Sequence, residues 1–223
     1  MAGKGEGDKL SGYHRRRDFD RTEEPHGSVR RGEVDEGPVF VIQHHAARAE
    51  HYDFRIEVDG VLRSWAVPKG VSTDPRDKRL AVPTEDHPLE YADFEGTIPS
   101  GEYGGGTVQV WDRGHYTNST REDARELSMA EGLEKGHVSI RLNGAKISGG
   151  YALTRIRTDG DEAWLLVKEK DDEADARRDP VSTQTESVLS GRELGEIAEQ
   201  EGSTAHRTKE RGEGDVRRPG GSR

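Results

Sequence analysis

The sequence contains no cysteine among its 223 residues. This absence excludes disulfide bonds and thiolate metal sites, so cysteine usage says nothing about the redox state of the compartment. Apolar residues are also scarce, at 30% of the chain, and aromatic residues make up 6%. No apolar run approaches the ~20 residues of a membrane span, and residues 1–12 lack the apolar core of a secretory signal. We therefore expect a soluble cytoplasmic protein with no membrane association.

The chain also lacks an excess of basic charge. It has 44 Asp and Glu residues against 34 Lys and Arg residues, which gives a formal net charge of −10. Proteins that coat nucleic acid through its phosphates are usually basic. The acidic balance argues against broad binding to DNA, although it leaves room for a local basic pocket. If DNA is the ligand, we expect a small footprint with few phosphate contacts.

Nucleotide-binding loops are missing as well. The stretch at residues 93–106 is rich in glycine, but no Gly-Lys-Ser/Thr follows it and it contains no G-x-G-x-x-G pattern. Tight turns explain these glycines better than a phosphate-binding loop does.

Most apolar residues lie between about residues 38 and 170, which predicts one compact domain with polar extensions. Period-two alternation, a hairpin signal at Asp59-Gly60 and regular turns predict a series of short strands. We place strands at residues 39–43, 51–57, 61–67, 79–82, 107–112, 138–142, 151–157 and 163–168. The pattern favours a mainly β fold, with an antiparallel β-barrel core and a few peripheral helices, because closure removes the exposed sheet edges.

One clear helix is predicted between Ser119 and Gly136. Ser119 and Glu122 match a capping box, and Gly136 is a natural helix stop. A weak helix is predicted near residues 192–201. The polar stretches at residues 1–12 and 171–223 are expected to be largely disordered, and by composition alone the arm at residues 13–37 also resembles a solvated segment.

The residues suited to chemistry are concentrated on the predicted strand at 51–57. Strict alternation places the apolar residues at positions 52, 54, 56 and 58 on one face and His51, Asp53, Arg55 and Glu57 on the other. His45 lies just upstream. Two imidazoles and a carboxylate, without a thiolate, suit Mn²⁺, Fe²⁺, Co²⁺ or Zn²⁺ with open coordination positions. Arginine is the side chain best suited to phosphate, so the face predicts a metal beside an anion.

Three readings stay open on the residues alone. A phosphoesterase would use the metal and Arg55 jointly, with His87 as a hydrogen-bond donor or general acid and with Lys69 and Arg79 extending the positive lining. The same two-His-one-carboxylate pattern occurs in non-haem iron oxygenases. A non-catalytic DNA-binding module is the third reading.

Several long motifs resemble one known family. These are YHRRRDFDRTEEP, FVIQHHAARAEHYDFRIEVDGVLRSWAVPKG, KRLAVPTEDHPLEYADFEGTIPSGEYGGGTVQVWDRGHY, LNGAKISGGYALTRI and WLLVKEKD. Together they are similar to the 3′-phosphoesterase domain of bacterial DNA ligase D and its stand-alone relatives, over about residues 13–170. The resemblance implies a β-barrel enzyme that depends on manganese, with cobalt or zinc as alternatives. It implies removal of a 3′-terminal ribonucleoside from a DNA primer end and then of the remaining 3′-phosphate. The 3′-hydroxyl left behind would serve the ligase or polymerase of end joining at nucleoid DNA ends.

The resemblance also implies roles for individual residues. His45, His51 and Asp53 match the metal ligands, which makes His44 a bystander. The matches to the phosphate-engaging and other active-site positions are Arg55, His87, Tyr91, Arg17, Asp18, Glu24, Lys69, Arg79 and Glu85. His87 and Tyr91 are both candidates for the general acid. Because Arg17, Asp18 and Glu24 belong to the arm at residues 13–37, we expect the arm to join the site.

Two departures from the family pattern accompany the resemblance. Glu50 stands where the family usually has an apolar residue. The ligase and polymerase modules of multidomain relatives are missing, so we expect a stand-alone member or one module of a larger protein.

Overall fold

The computed structural model describes residues 9–27, 37–158 and 160–201. Its strands are β1 (Val39–Ala46), β2 (Glu50–Val58), β3 (Val61–Val67), β4 (Arg79–Pro83), β5 (Gly96–Ile98), β6 (Gly106–Asn118), β7 (Arg121–Glu122), β8 (Arg125–Glu126), β9 (His137–Gly144), β10 (Ser148–Arg157) and β11 (Ala163–Lys168). The helices are α1 (Ser11–Arg15), a 3-10 helix (Leu89–Asp93), α2 (Met129–Lys135), α3 (Pro180–Thr183) and α4 (residues 194–201). No helix in these described ranges is long and apolar enough to cross a membrane.

Antiparallel pairing closes the main sheet into a barrel. The strands follow the order β1-β2-β3-β4-β11-β10-β9-β6, and β6 pairs back onto β1 from Val39↔His115 to Ala46↔Thr107. β5 pairs with the start of β6 outside the ring. The predicted mainly β fold with a barrel core is therefore confirmed.

Apolar side chains from all eight strands of the ring fill the barrel interior. They form one buried cluster that includes Phe54, Trp65, Trp111, Ile140 and Trp164. Helix α2 adds side chains to this cluster near the β2–β3 turn, and α3 packs against it at the opposite end of β2. The interior is a packed core, so a ligand has to bind on the outside of the barrel or at its rim.

A second apolar cluster lies on the outer face of the sheet. Val41 and Leu62 point outward from β1 and β3 and pack with Tyr13 from α1 and Tyr91 from the 3-10 helix. The N-terminal arm thus covers part of the outer face of the barrel. Lys9, which precedes the arm, also contacts the barrel, because its ammonium donates a hydrogen bond to the carbonyl of Asp59.

The helix prediction between Ser119 and Gly136 was wrong about the start and correct about the stop. Residues 121–126 form the small β7–β8 hairpin, and α2 begins only after Ser128. Ser128 and Glu131 form the capping box, and Gly136 ends the helix in the left-handed conformation with φ 89°. Two Ser-x-x-Glu patterns lie between Ser119 and Gly136, and the hairpin excludes the first.

Residues 171–201 lie against the barrel, whereas their composition suggests disorder. Their backbone carbonyls accept hydrogen bonds from side chains of the barrel domain, which add to the few apolar contacts of this segment. Thr73 Oγ1 donates to the carbonyls of Asp175 and Arg178, at 2.8 and 2.9 Å, and Trp111 Nε1 donates to the carbonyl of Gln184. Ile197 in α4 is fully buried. The disorder predicted for residues 1–8 and 202–223, and part of the arm at 28–36, lies outside the described residues.

Candidate metal centre and phosphate pocket

Three side chains that could hold a metal ion meet on adjacent strands. His45 on β1 is directly opposite His51 on β2, and Asp53 lies two residues further along β2. One ligand atom from each residue lies within 4.8 Å of the others. Asp53 Oδ2 is 3.6 Å from His45 Nδ1, and Asp53 Oδ1 is 3.7 Å from His51 Nε2. The alternation of β2 therefore produces the group that the sequence predicted.

Backbone carbonyls orient both imidazoles. His45 Nε2 donates to the carbonyl of Gly104 at 2.9 Å, and His51 Nδ1 donates to the carbonyl of Ala49 at 2.8 Å. In the neutral form of each ring, this bond places the proton away from Asp53 and leaves a lone pair on the nitrogen that faces the carboxylate. Hydrogen bonds of this kind are typical of metal-binding histidines.

The carboxylate of Asp53 is buried and ionised. Burial by itself opposes ionisation, but the adjacent positive charge of Arg55 outweighs it and holds the pKa of Asp53 well below its usual range. Two lone pairs and a carboxylate, fixed in place before any ion arrives, fit a divalent transition metal with open coordination positions. The donor set alone does not select one metal.

Arg55 connects this group to a second set of polar residues. Its Nη2 donates to Asp53 Oδ2 at 2.9 Å, and its Nε donates to Gln43 Oε1 at 2.8 Å. The amide nitrogen of Gln43 in turn donates to the carbonyls of Tyr91 and Phe94, each at 2.9 Å. The guanidinium is therefore held from two sides, and two of its five N–H groups have these partners.

His87 lies between two guanidiniums. Its Nδ1 lies 2.8 Å from the carbonyl oxygen of Glu85 and 2.8 Å from Arg55 Nη1. Its Nε2 lies 3.2 Å from Arg17 Nη2 and 3.3 Å from Arg55 Nη1. Burial, reinforced by the two positive charges, lowers the pKa of His87 well below its usual value. The ring is neutral and orients the arginines.

The N-terminal arm supplies Arg17 to the same site. Its Nε donates to Glu24 Oε1 at 2.8 Å, and its Nη1 donates to Glu85 Oε1 at 3.0 Å. The hydroxyl of Tyr91 also donates to Glu24 Oε1, at 3.1 Å. Only 4% of the Arg17 side chain and 1% of the Glu24 side chain are exposed, so this ion pair is almost completely buried.

Most of these groups border one pocket of about 180 Å³, and Gln43 and Glu24 lie outside its lining. Its lining includes His45, His51, Asp53, Arg55, Arg17, Glu85, His87, Tyr91, Tyr103 and Gly104. Among the lining groups, two guanidiniums face two carboxylates, and His87 is neutral. The pocket is therefore close to electrically balanced before any ion enters.

Four of the sequence-predicted residues lie outside this lining. One of them, Glu24, contacts the lining residues Arg17 and Tyr91. Asp18 is exposed and accepts a hydrogen bond from the backbone of Asp20. Lys69 is exposed in the turn after β3. Arg79 donates to the carboxylate of Asp77 at 2.8 Å. Their assignment to the site stays a prediction.

His44 has the bystander position that its spacing predicted. Its ring stacks on Tyr52 with centroids 4.4 Å apart, and its Nε2 lies 2.6 Å from Glu50 Oε1. Glu50, the departure from the family pattern, is exposed and so causes no burial penalty.

Sequence reasoning missed several supporting residues. Gln43 looked like the end of an apolar strand, and Tyr13, Tyr103 and Gly104 carried no signal of chemistry. Gly106 shows why the glycine-rich stretch is needed, since a Cβ at this position would lie 2.3 Å from the carbonyl oxygen of Ala46. Only glycine lets β6 start this close to the end of β1, which brings Gly104 to His45.

Comparison with known proteins identifies the family to which this geometry belongs. Residues 43–155 match the family described as the DNA ligase D 3′-phosphoesterase domain. The chain is 49% identical, over 91% of its length, to the multifunctional non-homologous end joining protein LigD of Pseudomonas aeruginosa. It is also 49% identical, over 73% of its length, to the multifunctional non-homologous end joining DNA repair protein LigD of Mycobacterium tuberculosis.

These relatives are much longer proteins. The chain spans 24% of the length of the Pseudomonas protein and 20% of the Mycobacterium protein. The match begins within β1 and runs through most of the barrel, and it includes all three residues of the group that could hold a metal. By this match, the chain belongs to the DNA ligase D 3′-phosphoesterase domain family.

Proposed function

We propose that the protein is a metal-dependent phosphoesterase that repairs 3′ ends of DNA. In this proposal it removes a 3′-terminal ribonucleoside and then the remaining 3′-phosphate from primer ends, leaving a 3′-hydroxyl. The observation that carries the proposal is the position of Asp53. Its carboxylate belongs to the potential metal group and also accepts a hydrogen bond from Arg55, so a metal and a phosphate would bind side by side.

The residues present fit a divalent metal, and Mn²⁺ is the ion we propose. His45 Nδ1, His51 Nε2 and a carboxylate oxygen of Asp53 would hold it. Bound there, a divalent ion would supply Lewis acidity to a phosphate oxygen and to a nearby water. The protein supplies the remaining functions, which are binding, orientation and compensation of negative charge.

Arg55 and Arg17 would hold the phosphate. N–H groups of Arg55 that are not directed to Asp53, Gln43 or His87 are free to donate to phosphate oxygens. Because these donors are fixed before the substrate arrives, they would stabilise the charge that develops in the transition state without a reorganisation cost.

His87 and Tyr91 act as positioning groups in this proposal. His87 lies 2.8 Å from Arg55 Nη1 through Nδ1 and 3.2 Å from Arg17 Nη2 through Nε2, and the hydroxyl of Tyr91 donates to Glu24 at 3.1 Å. Burial raises the pKa of Tyr91 well above its usual value, and the adjacent Glu24 adds to this shift. Both groups are therefore better suited to fixing the arginines than to protonating a leaving group.

The names of the relatives supply the proposed cellular role. Both are called non-homologous end joining proteins, and we propose that this chain acts in the same process, in the cytoplasm at DNA ends, with a ligase and a polymerase. No observation favours the non-haem iron oxygenase or the purely DNA-binding alternative.

A primer-template assay tests the proposal. Wild-type protein with Mn²⁺ should shorten a primer that ends in a single ribonucleotide and should remove a 3′-phosphate. His51→Ala should abolish both reactions. The adjacent His44 provides a matched control, because its side chain lies on the other face of β1, and His44→Ala should keep the activity. Full activity in His51→Ala, or no end trimming by wild type with any divalent metal, would overturn the proposal.

A further inference from the structure

An exposed aromatic ring stands at the rim of the pocket. Among the described residues, the large hydrophobic side chains with high exposure are Leu80, Tyr103, Ile156 and Leu189. Tyr103 is the only aromatic residue in this set and lines the phosphate pocket, with 45% of its surface exposed. It belongs to neither apolar cluster, so its ring does not serve the core.

The backbone fixes the position of this ring relative to the metal group. The loop that carries it makes two turns, in which Glu102 N donates to Pro99 O at 3.2 Å and Gly105 N donates to Glu102 O at 3.1 Å. The next residue, Gly104, accepts the hydrogen bond from His45 at 2.9 Å. Tyr103 directly precedes Gly104, which contacts His45 of the potential metal group. Its ring therefore lies at a defined distance from a phosphate bound in the pocket.

Arginine accompanies the ring at the rim. The guanidinium carbon of Arg16 lies 4.7 Å from the centroid of the Tyr103 ring, and Arg16 Nη1 also bonds the Tyr103 hydroxyl. Glu85 joins rim and pocket, because one of its oxygens accepts from Arg16 at 3.1 Å and the other from Arg17 at 3.0 Å. The side chain of Arg16 is 49% exposed, so it remains accessible to a ligand.

We infer that Tyr103 is a stacking platform for a nucleobase, with Arg16 beside it as a contact for the phosphate on the 5′ side. The base would belong to the nucleoside whose 3′ oxygen carries the phosphate in the pocket. This inference deepens the proposed function and rests on it. Proteins that bind single strands without reading sequence use exposed aromatic rings in this way, because every base has a π-face.

The platform also makes a chemical prediction about substrates. The last retained nucleoside is present in both the ribonucleoside-ended and the phosphate-ended substrate, so stacking serves both steps. A single ring with one adjacent guanidinium gives a footprint of about one nucleotide. The enzyme would therefore require a base at this position while tolerating all four bases.

The test combines a protein change with a substrate change. The substrates are two primers with a 3′-phosphate, one normal and one abasic at the last nucleoside. For wild type, removing the base should raise KM about tenfold, since a base–aromatic stack is worth roughly that factor. Tyr103→Ala should raise KM for the normal primer by a similar factor, and its KM should rise no further when the base is removed. Tyr103→Phe keeps the ring, so its KM should still rise when the base is removed.

Two results would overturn the platform. One is wild type that treats the normal and abasic primers alike. The other is an increase in KM for Tyr103→Ala with the abasic primer that equals the product of the two separate increases. Changes at independent sites add in free energy, whereas changes in groups that contact each other do not. Leu80→Ala is the matched control, since Leu80 is 44% exposed but lies outside the pocket lining, and it should leave the base preference intact.

A binding measurement separates this inference from the proposed function. A 3′-phosphate strand with 2-aminopurine as its last base loses fluorescence when the base stacks. Quenching by wild type and Tyr103→Phe, with little quenching by Tyr103→Ala, supports the platform even if no 3′ end is trimmed. Equal quenching by all three proteins, with normal end trimming by wild type, refutes the platform and leaves the proposed function intact.

Discussion

Asp53 and Arg55 are hydrogen-bonded to each other at 2.9 Å, and each also faces a different part of the site. The carboxylate of Asp53 belongs to the potential metal group, and the guanidinium of Arg55 contacts His87 and Gln43. In the proposed function, metal binding and phosphate binding would thus be coupled through a single contact between same-face neighbours on β2.

Replacing Asp53 should weaken metal binding and disturb the arginine together. We expect Asp53→Asn to reduce the affinity for Mn²⁺ by at least about 100-fold, because even the residues that support metal ligands contribute 10–100-fold. Calorimetric titration with Mn²⁺ measures this effect. Asp172→Asn, at an exposed position in the C-terminal segment, is the control and should bind Mn²⁺ like wild type. Unchanged Mn²⁺ affinity in Asp53→Asn would show that the metal binds elsewhere.

Removal of the metal should weaken phosphate binding. The pocket lining contains the guanidiniums of Arg17 and Arg55 and the carboxylates of Asp53 and Glu85, so its charges nearly cancel. A divalent ion makes the pocket positive. We expect inorganic phosphate to bind at least about tenfold more tightly with Mn²⁺ present than with a chelator. Thermodynamic linkage then requires phosphate to increase the affinity for Mn²⁺ by the same factor. Calorimetry in both orders of addition checks this, and unequal factors would exclude the simple two-site scheme.

Gln43 should behave as a positioning residue. Gln43→Leu leaves Arg55 Nε and the carbonyl of Phe94 without this partner, whereas the carbonyl of Tyr91 keeps its bond from the Phe94 amide, and each unsatisfied buried group costs about 1–3 kcal/mol. We therefore expect a lower free energy of unfolding and a lower kcat, with Mn²⁺ affinity retained. Urea unfolding and Mn²⁺ titration on the same sample separate the two effects. A large loss of Mn²⁺ affinity would contradict the positioning role.

The buried ion pair between Arg17 and Glu24 gives a stability prediction. Arg17→Met leaves the carboxylate of Glu24 buried and uncompensated, which should cost about 3–5 kcal/mol. Arg15 is exposed at the end of α1, two residues before Arg17, and donates only to the carbonyl of Ser11 among the contacts described for it. Arg15→Met should therefore change stability by less than about 0.5 kcal/mol. Similar effects of the two substitutions in urea unfolding would argue against a buried arm.

His87 should make the protein less stable at mildly acidic pH. Burial, reinforced by the charges of Arg55 and Arg17, depresses its pKa in the folded state, whereas in the unfolded chain the pKa is about 6.5. The unfolded state therefore gains a proton first as the pH falls. The stability from neutral His87 is complete above about pH 6.5 and is lost as the pH falls towards the depressed value.

The size of this effect can be isolated with a variant that does not titrate. Between pH 7.5 and pH 5.5, wild type should lose about 1.4 kcal/mol more than His87→Gln, since one pKa unit corresponds to that free energy. Urea unfolding at the two pH values measures the difference, and the other histidines cancel because both proteins contain them. An equal loss in the two proteins would mean that His87 is not held neutral by its surroundings.

Local pattern was enough to predict most of the barrel. Alternation identified the two faces of β2 and thereby the metal group, and the strands at 61–67 and 163–168 agree with the structure residue for residue. Local pattern could not choose between the capping boxes at Ser119 and Ser128, because the decision depends on how residues 121–126 pair.

The features of the site that local pattern could not predict depend on contacts between residues far apart in the sequence. Tyr91 meets Glu24 across 67 positions of sequence, and His45 meets Gly104 across 59. Neither pair has a spacing that signals contact. The family resemblance identified Arg17 and Glu24, but it could not show that the two pair with each other.

The filled barrel interior also has a consequence for how substitutions are tolerated along β2. Residues 52, 54, 56 and 58 face the packed core, while 51, 53 and 55 face the pocket. A scan of single substitutions should therefore produce two separate classes of defect that alternate along the strand. Changes at the even positions should reduce the amount of folded protein. Changes at 51, 53 and 55 should chiefly impair chemistry, with an added loss of stability where they break the buried pair of Asp53 and Arg55.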